Sequence, residues 1–215
     1  MRIETGQTVL LYGAGGHAAV VADALLRANA ATVLLATDDA PSKWGASLVG
    51  DWLCLPPVEL AAALQQGFIH IAIGQNTLRR QLAERLGLFE DRERWLTVVH
   101  PAATVSGFAQ LEAGVFVAAN AVVAARSQVG RGAILNHACV VDHDVRIDEF
   151  AHVAPGAVLG GGVHIGAGCL VGAGAVVLPG LRIAAGTTIG AGAVVTGFIS
   201  QAGVWTGVPA KLRKN

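Results

Sequence analysis

The sequence predicts two architectures in series, a small parallel α/β domain over residues 1–98 and a parallel β-helix of hexapeptide repeats over residues 99–215. Three observations lead there. An aliphatic residue falls at every sixth position from Val105 to Val195 without a miss. Two places before each lies a second column of mostly small or compact side chains, among them Ala121, Ser127, Cys139, Ala157, Cys169 and Thr187, with Leu181 its one large member. Before residue 100 the pattern changes to short apolar runs that alternate with helical stretches, as a parallel α/β sheet requires. A helix repeats at 3.6 residues and a strand at 2, so a period of six needs short straight segments joined by corners.

Val9–Tyr12 forms a buried-strand pattern and leads through Gly13-Ala14-Gly15-Gly16-His17 into a helical stretch from Ala18 to Ala28. A glycine-rich turn that opens a helix presents free amide groups suited to phosphate. Val33–Ala36 reads as the second strand and ends in Thr37-Asp38-Asp39. Gly13, Gly15 and Ala18, with Asp38 as the ribose-binding acid, match a weak dinucleotide fingerprint, so the turn reads as a nucleotide or sugar-phosphate site. Trp52–Leu55 is a further strand, Pro57–Gln65 a helix candidate, and His70–Gly74 a strand whose end, Gly74-Gln75-Asn76, adds polar groups at the same sheet edge. The helix expected over Asn76–Leu86 places Arg79, Arg80 and Arg85 on a solvated face. Trp95–Val99 and His100-Pro101 carry the chain into the repeats.

Within each repeat the aliphatic residue and the small one before it point into a narrow core. Three repeats close one turn, so residues eighteen apart stack and each turn is held chiefly by its neighbours. From Gly156 to Gly192 the position three after the aliphatic residue is always glycine, which frees the backbone at a bend. The chemistry lies in the exceptions. Between Asn136 and His152 the outward positions become Asn136-His137, Asp142-His143-Asp144 and His152, with His164 just beyond. Stacking at eighteen sets His143 between Ala125 and Gly161, and Asp144 between Arg126 and Gly162. Small neighbours leave the His143 ring open to a reactant, and an adjacent carboxylate orients an imidazole that accepts a proton near neutral pH. Zinc on His137, His143 and His152 is the competing reading, and no cysteine or paired histidine spacing supports it. After Val195 the repeat breaks at Gly197-Phe198, and Val204–Val208 is expected to cap the open end of the coil.

Fifteen basic residues balance fifteen acidic ones, which leaves no field to draw in nucleic acid or an acidic membrane. Cys54, Cys139 and Cys169 lack metal-ligand spacing and read as reduced core residues. No secretory leader and no membrane-spanning apolar run stand out, so the expected location is the cytoplasm. Outward apolar residues such as Val122 and Val176 point to self-association as a homotrimer.

The repeats, taken with Gly13-Ala14-Gly15-Gly16-His17, His100-Pro101-Ala102, Asn136-His137, Val141-Asp142-His143-Asp144, Phe150-Ala151-His152-Val153-Ala154-Pro155 and Gly207-Val208-Pro209-Ala210-Lys211, resemble the sialic acid O-acetyltransferase-like family of left-handed β-helix acyltransferases. Within it the chain is similar to the N-acetyltransferases of nucleotide-linked 4-amino sugars, of bacillosamine and perosamine type, which serve polysaccharide and lipopolysaccharide O-antigen biosynthesis. The resemblance implies a nucleotide-sugar-binding α/β domain, a trimeric left-handed β-helix and acetyl-CoA between adjacent coils, with no metal required. His143 matches the family's catalytic histidine and Asp144 its acidic partner. His152, Gly161, Ala191 and Lys211 fall on the cofactor side. Gly13, Gly15, His17, Asp38, Asp39, Gly74 and Asn136 fall on the acceptor side. The implied reaction is direct attack of the 4-amino group on the thioester with His143 as base. O-acetylation of a sialic acid, a dehydrogenase built on the glycine-rich turn, and a non-catalytic nucleotide-sugar-binding protein are the alternatives.

Overall fold

A computed structural model describes residues 8–28, 33–60 and 67–213. The chain divides into two compact units, Met1–Pro101 and Ala102–Asn215.

In the first unit, β1 (Thr8–Tyr12), α1 (Gly16–Arg27), β2 (Val33–Thr37), β3 (Ser47–Val49), β4 (Trp52–Leu55), β5 (Phe68–Ile71) and α2 (Asn76–Arg85) follow in chain order. The sheet order is β3-β4-β2-β1-β5, and all its pairings are parallel except the short β3–β4 one. β1 sits inside the sheet, and Val9, Leu10 and Leu11 are fully buried, as an apolar run covered on both faces should be. The chain crosses from β1 to β2 on one side and returns to β5 on the other, which opens a crevice at the carboxyl end of β1. α1 begins two residues earlier than the sequence suggests, with Gly15 as its extended N-cap. The helix expected over Pro57–Gln65 starts as a 3₁₀ turn, Pro57–Leu60, and its remainder lies outside the described residues. His70 is buried in β5 and its Nδ1–H donates to the Leu96 carbonyl at 2.8 Å. Burial pushes its pKa down to about 4, so at neutral pH it is an uncharged core residue.

The second unit is a parallel coil with three faces. One face stacks Thr104–Val105 through Val194–Val195, the next Gln110–Leu111 through Arg182–Ile183, and the third includes Phe116–Val117 through Thr188–Ile189. The pairing Val122↔Val140↔Val158 has the register of eighteen. The sixfold aliphatic column is buried from Val117 to Val195, and the small column from Val115 to Ala193. Polar members of the small column are satisfied, with Ser127 Oγ donating to the Asp142 carbonyl and Thr187 Oγ1 to the Ala184 carbonyl, both at 2.7 Å. Cys54, Cys139 and Cys169 are free and buried. Burial pushes the Cys139 thiol up to about 12 and removes it as a nucleophile.

Corners explain the glycine column. Gly114, Gly132 and each glycine from Gly156 to Gly192 in that column have φ between +61° and +72°, the left-handed region. The same corner is filled by Asn120, Arg126, Ala138, Asp144 and Phe150, also at positive φ. Such a conformation costs roughly 1–2 kcal/mol for an ordinary L-residue and less for Asn or Asp. The non-glycine corners therefore concentrate strain in the turns that carry the unusual outward residues. Past the last repeats, Val204–Thr206 pairs in parallel with Thr188–Ile189 and turns back as Lys211–Leu212, while Trp205 packs on the coil core.

Candidate functional site

Two separate constellations emerge, one in each unit. In the α/β unit the crevice beyond β1 is a cavity of about 540 Å³. Gly13, Gly15, His17, Asp38, Asp39 and Gly74 all line it, so the structure brings together six of the seven residues expected on the acceptor side. Asn136 is on the coil instead.

Gly13 has φ +117°, and a Cβ there would stand 2.7 Å from the Ala72 carbonyl oxygen, so only glycine lets the turn pass the neighbouring strand end. Asp38 closes the turn from the other side. Its carboxylate accepts from the Ala14 amide at 2.8 Å, the Ala40 amide at 3.0 Å and Lys43 Nζ at 2.7 Å. Burial alone raises this carboxyl, but the hydrogen bonds from Lys43, Ala40 and Ala14 outweigh it and hold the pKa below the usual carboxylate value. With three of about four lone-pair sites taken by its own chain, Asp38 has little left for a ribose diol.

Of the arginines of α2, Arg80 is exposed as expected, while Arg79 and Arg85 take other roles. Arg79 is buried, and its guanidinium donates to the carbonyls of Ile73 and Gly74 at 2.9 and 3.1 Å and to Asn76 Oδ1 at 2.9 Å. It ties down the Gly74 loop instead of facing solvent. Arg85 lines the cavity, where it donates to both Asp39 oxygens at 3.0 and 2.7 Å and to the Tyr12 hydroxyl at 2.9 Å. Tyr12 in turn donates to Asp39 at 2.6 Å. Burial, then the bond to Asp39, raises the Tyr12 phenol to about 12, so it stays a donor. Tyr12, Lys43, Gln81 and Arg85 were missed by sequence reasoning. The signal available was the spacing of Leu78, Gln81, Leu82 and Arg85, which sets one face of α2 toward the cavity.

On the coil, Asp142-His143-Asp144 occupies one corner. Asp142 Oδ1 accepts the His143 backbone N–H at 2.7 Å, and His143 Nδ1–H donates to Asp144 Oδ2 at 2.7 Å. The expected stacking is present: Asp144 N–H donates to the Ala125 carbonyl and Gly162 N–H to the His143 carbonyl. A Cβ on Gly161 would lie 2.7 Å from both Cε1 and Nε2 of His143. Its absence is therefore what lets the ring lie over the next turn. With Nδ1 engaged, Nε2 carries the lone pair, and the side chain remains 58% exposed. Arg126, one turn below, grips Asp144 through two bonds of 2.6 and 2.7 Å. Hydrogen bonds from Arg126 and then His143 hold the Asp144 carboxyl far below its usual pKa, so it is ionised at any working pH.

Asn136 and His152 meet on another corner. Asn136 Oδ1 accepts from both the backbone N–H and Nδ1–H of His137 at 2.9 Å. The backbone donor fixes the amide orientation, so Nδ2 faces His152 Nε2 at 3.1 Å and donates to it. His164 lies on a different face, bonded to Asp148 at 2.8 Å. Ala191 is exposed on the Asn136–His137 corner, three turns farther along, and Lys211 is exposed on the capping strand. His143 and the Asn136–His152 pair are a full coil face apart. Among the described residues, no three His, Cys, Asp or Glu side chains are grouped to hold a metal ion.

Known proteins share both halves. The family model described as the PglD N-terminal domain matches residues 8–86, and the bacterial transferase hexapeptide model (six repeats) matches residues 162–197. A solved mutant of perosamine N-acetyltransferase from Caulobacter crescentus, in complex with CoA and GDP-perosamine, is 32% identical with a TM-score of 0.87 over 98% of both chains. The acetyltransferase domain of PglB from Neisseria gonorrhoeae, in complex with acetyl coenzyme A, is 33% identical with a TM-score of 0.88, over 96% of this chain and 99% of that one. UDP-N-acetylbacillosamine N-acetyltransferase from Bacillus subtilis is 36% identical over 118 residues, 53% of this chain, and the match spans about half (52%) of that relative. The α/β unit with its cavity, the hexapeptide coil with its histidine corner and likeness over nearly the whole chain agree: this protein belongs to the left-handed β-helix acetyltransferases, in the GDP-perosamine and UDP-bacillosamine N-acetyltransferase branch.

Proposed function

We propose that the protein transfers an acetyl group from acetyl-CoA to the 4-amino group of a nucleotide-linked amino-deoxy sugar. The observation that carries this reading is the His143 corner, an imidazole with Nδ1 held by an ionised carboxylate and Nε2 open beside a glycine. Such a group removes the proton an amine sheds as it is acylated. Acetyl-CoA supplies an activated acyl group with a good leaving thiolate, so the chain's task is alignment, proton removal and exclusion of water. No covalent acyl-enzyme is needed, and the buried, protonated Cys139 offers none. The α/β cavity holds the nucleotide half of the acceptor, with the Gly15–Gly16 start of α1 toward phosphate and the Tyr12–Asp39–Arg85 network and Lys43 around it. His152, Gly161, Ala191 and Lys211 are the residues proposed to meet the acetyl donor. Asn136, bonded to His152, takes its acceptor role at the reacting end rather than at the nucleotide. Titration by native mass spectrometry with CoA and a panel of UDP-, dTDP- and GDP-linked amino sugars tests this. Binding of CoA together with one nucleotide sugar is expected, and tight NAD binding without any sugar nucleotide would reverse it.

The nucleotide site has its own forecast. Gly13→Ala forces a Cβ into the Ala72 carbonyl at a φ that alanine resists, so the turn must move. KM for the sugar nucleotide should rise by about tenfold or more while KM for acetyl-CoA holds, because the coil is untouched.

Homotrimeric assembly completes the reading. Val122, Val140, Val158, Val176 and Val194 form an unbroken outward ladder along one coil face, each only half-buried. An apolar stripe of this length on a protein without net charge fits a second copy of itself. A neighbouring coil also brings a second Asn136–His152 corner to a His143 corner, which one coil keeps apart. Val158→Glu sets a carboxylate in the middle of the ladder, and burying it unpaired is costly. Light scattering should show monomers, with activity lost and the coil's circular dichroism retained. Among the described residues no helix is long and apolar enough to cross a membrane. We place the enzyme in the cytoplasm, where its donor and acceptor are made, with no role for nucleic acid at zero net charge.

A further inference from the structure

We propose that Arg126 is a positioning residue for His143: by gripping both oxygens of Asp144 it fixes that carboxylate at Nδ1 and offsets its charge, which leaves Nε2 available as a base. This rests on the reading of His143 as proton acceptor.

Arg126 sits at the left-handed corner with φ 62°, in a column that is otherwise mostly glycine. A long side chain at that conformation is retained against backbone strain. An exposed ion pair adds too little stability to explain it, because solvent screens the attraction and ordering two side chains opposes it. The pair's target does explain it. Asp144 is also left-handed, at φ 59°, and its Oδ2 accepts simultaneously from Arg126 and from His143 Nδ1. Three groups on two adjacent turns thus form a single line, guanidinium to carboxylate to imidazole.

The fork geometry matters because a carboxylate on a surface corner is free to rotate. Two parallel N–H···O bonds remove that freedom, which a lysine's single point contact does not do. Charge matters as well. His143 faces Asp142 and Asp144 on its own corner, and Arg126 on the turn before, while Gly161 and Gly162 on the turn after bring no titratable group. Arg146, the next charge along, is bonded to Asp148. Two carboxylates with no cation would favour the imidazolium, which cannot accept a proton. Arg126 is the one cation in this surrounding set, and its position opposes that outcome.

The test compares wild type, Arg126→Gly and Arg126→Lys. Glycine suits the corner, so Arg126→Gly should melt no lower than wild type, and loss of activity cannot be laid to unfolding. Its acid limb in the kcat/KM profile should move up by about half to one pH unit, as expected for removing one unit charge that acts across a single carboxylate in a largely solvated setting. Arg126→Lys should recover part of the pH shift, because the charge is kept, yet retain a kcat defect, because the fork is lost. Imidazole ¹⁵N NMR, with His143 assigned by comparison with His143→Asn, reads the ring directly. An upward-shifted His143 midpoint in Arg126→Gly together with the shifted acid limb supports the proposal. An unchanged midpoint overturns it whatever the activity does. A shifted midpoint with an unchanged activity profile shows instead that His143 is not the base, and removes Arg126 from the reaction with it.

Discussion

Replacing His143 with Asn is expected to lower kcat by about 10²–10⁴-fold, the span of a positioned proton-transfer group, with the oligomeric state and the melting temperature unchanged. The side chain is 58% exposed and adds nothing to the coil core, so little stability is at stake. KM for both substrates should change much less, because the ring acts mainly in the transition state. A 4-amino group that arrives neutral already carries its lone pair, and the loss then falls toward the lower figure. Asp144→Asn should cost less than loss of the ring, since an amide oxygen still accepts from Nδ1 while the charge is gone. Steady-state kinetics and light scattering on the same preparations check both. Near-normal kcat in His143→Asn with an unchanged oligomeric state would make this histidine a solvated corner and move attention to His152 and His17.

Gly161→Ala should have an effect of comparable size by a different route. The three atoms nearest the added Cβ all belong to the His143 ring, with Cε1 and Nε2 at 2.7 Å. A surface ring has room to swing away, so folding is expected to be unaffected or slightly improved by the stiffer unfolded chain. Displacing a base by about 1 Å, however, costs on the order of 10²-fold. A rate loss of that size without a change in melting temperature is the expected result. A variant with wild-type kcat would show that the ring's resting place over Gly161 is not its working position.

The period of six was enough to read the coil from sequence, because its core admits one aliphatic and one small side chain per segment. The spacing of eighteen placed Asp144 over Arg126 and His143 under Gly161, which the structure shows as a bidentate ion pair and a close ring contact. It did not reveal that Arg126, Ala138 and Phe150 occupy left-handed corners, since nothing in those side chains announces a conformation they resist. In the α/β unit, the order of strands and the glycine-rich turn located the crevice. The Tyr12–Asp39–Arg85 network joins residues up to 73 positions apart, and no local pattern encodes such a pairing. Arg79 misled for a related reason. An arginine on an amphipathic helix is ordinarily solvated, and bonds to the Ile73 and Gly74 carbonyls and to Asn76 Oδ1 help make burial acceptable for this one.

Acetyl transfer to an amine differs from transfer to a hydroxyl in the bond formed, an amide rather than an ester. Incubation with acetyl-CoA and GDP-perosamine, or the UDP- and dTDP-linked 4-amino sugars, followed by mass spectrometry before and after mild alkali, reads that bond. The expected product is a singly acetylated nucleotide sugar whose acetyl group survives alkali, as an amide does, and which His143→Asn forms only slowly. An acetyl group lost in alkali, or transfer to a free sialic acid with no amino-sugar nucleotide accepted, would contradict it.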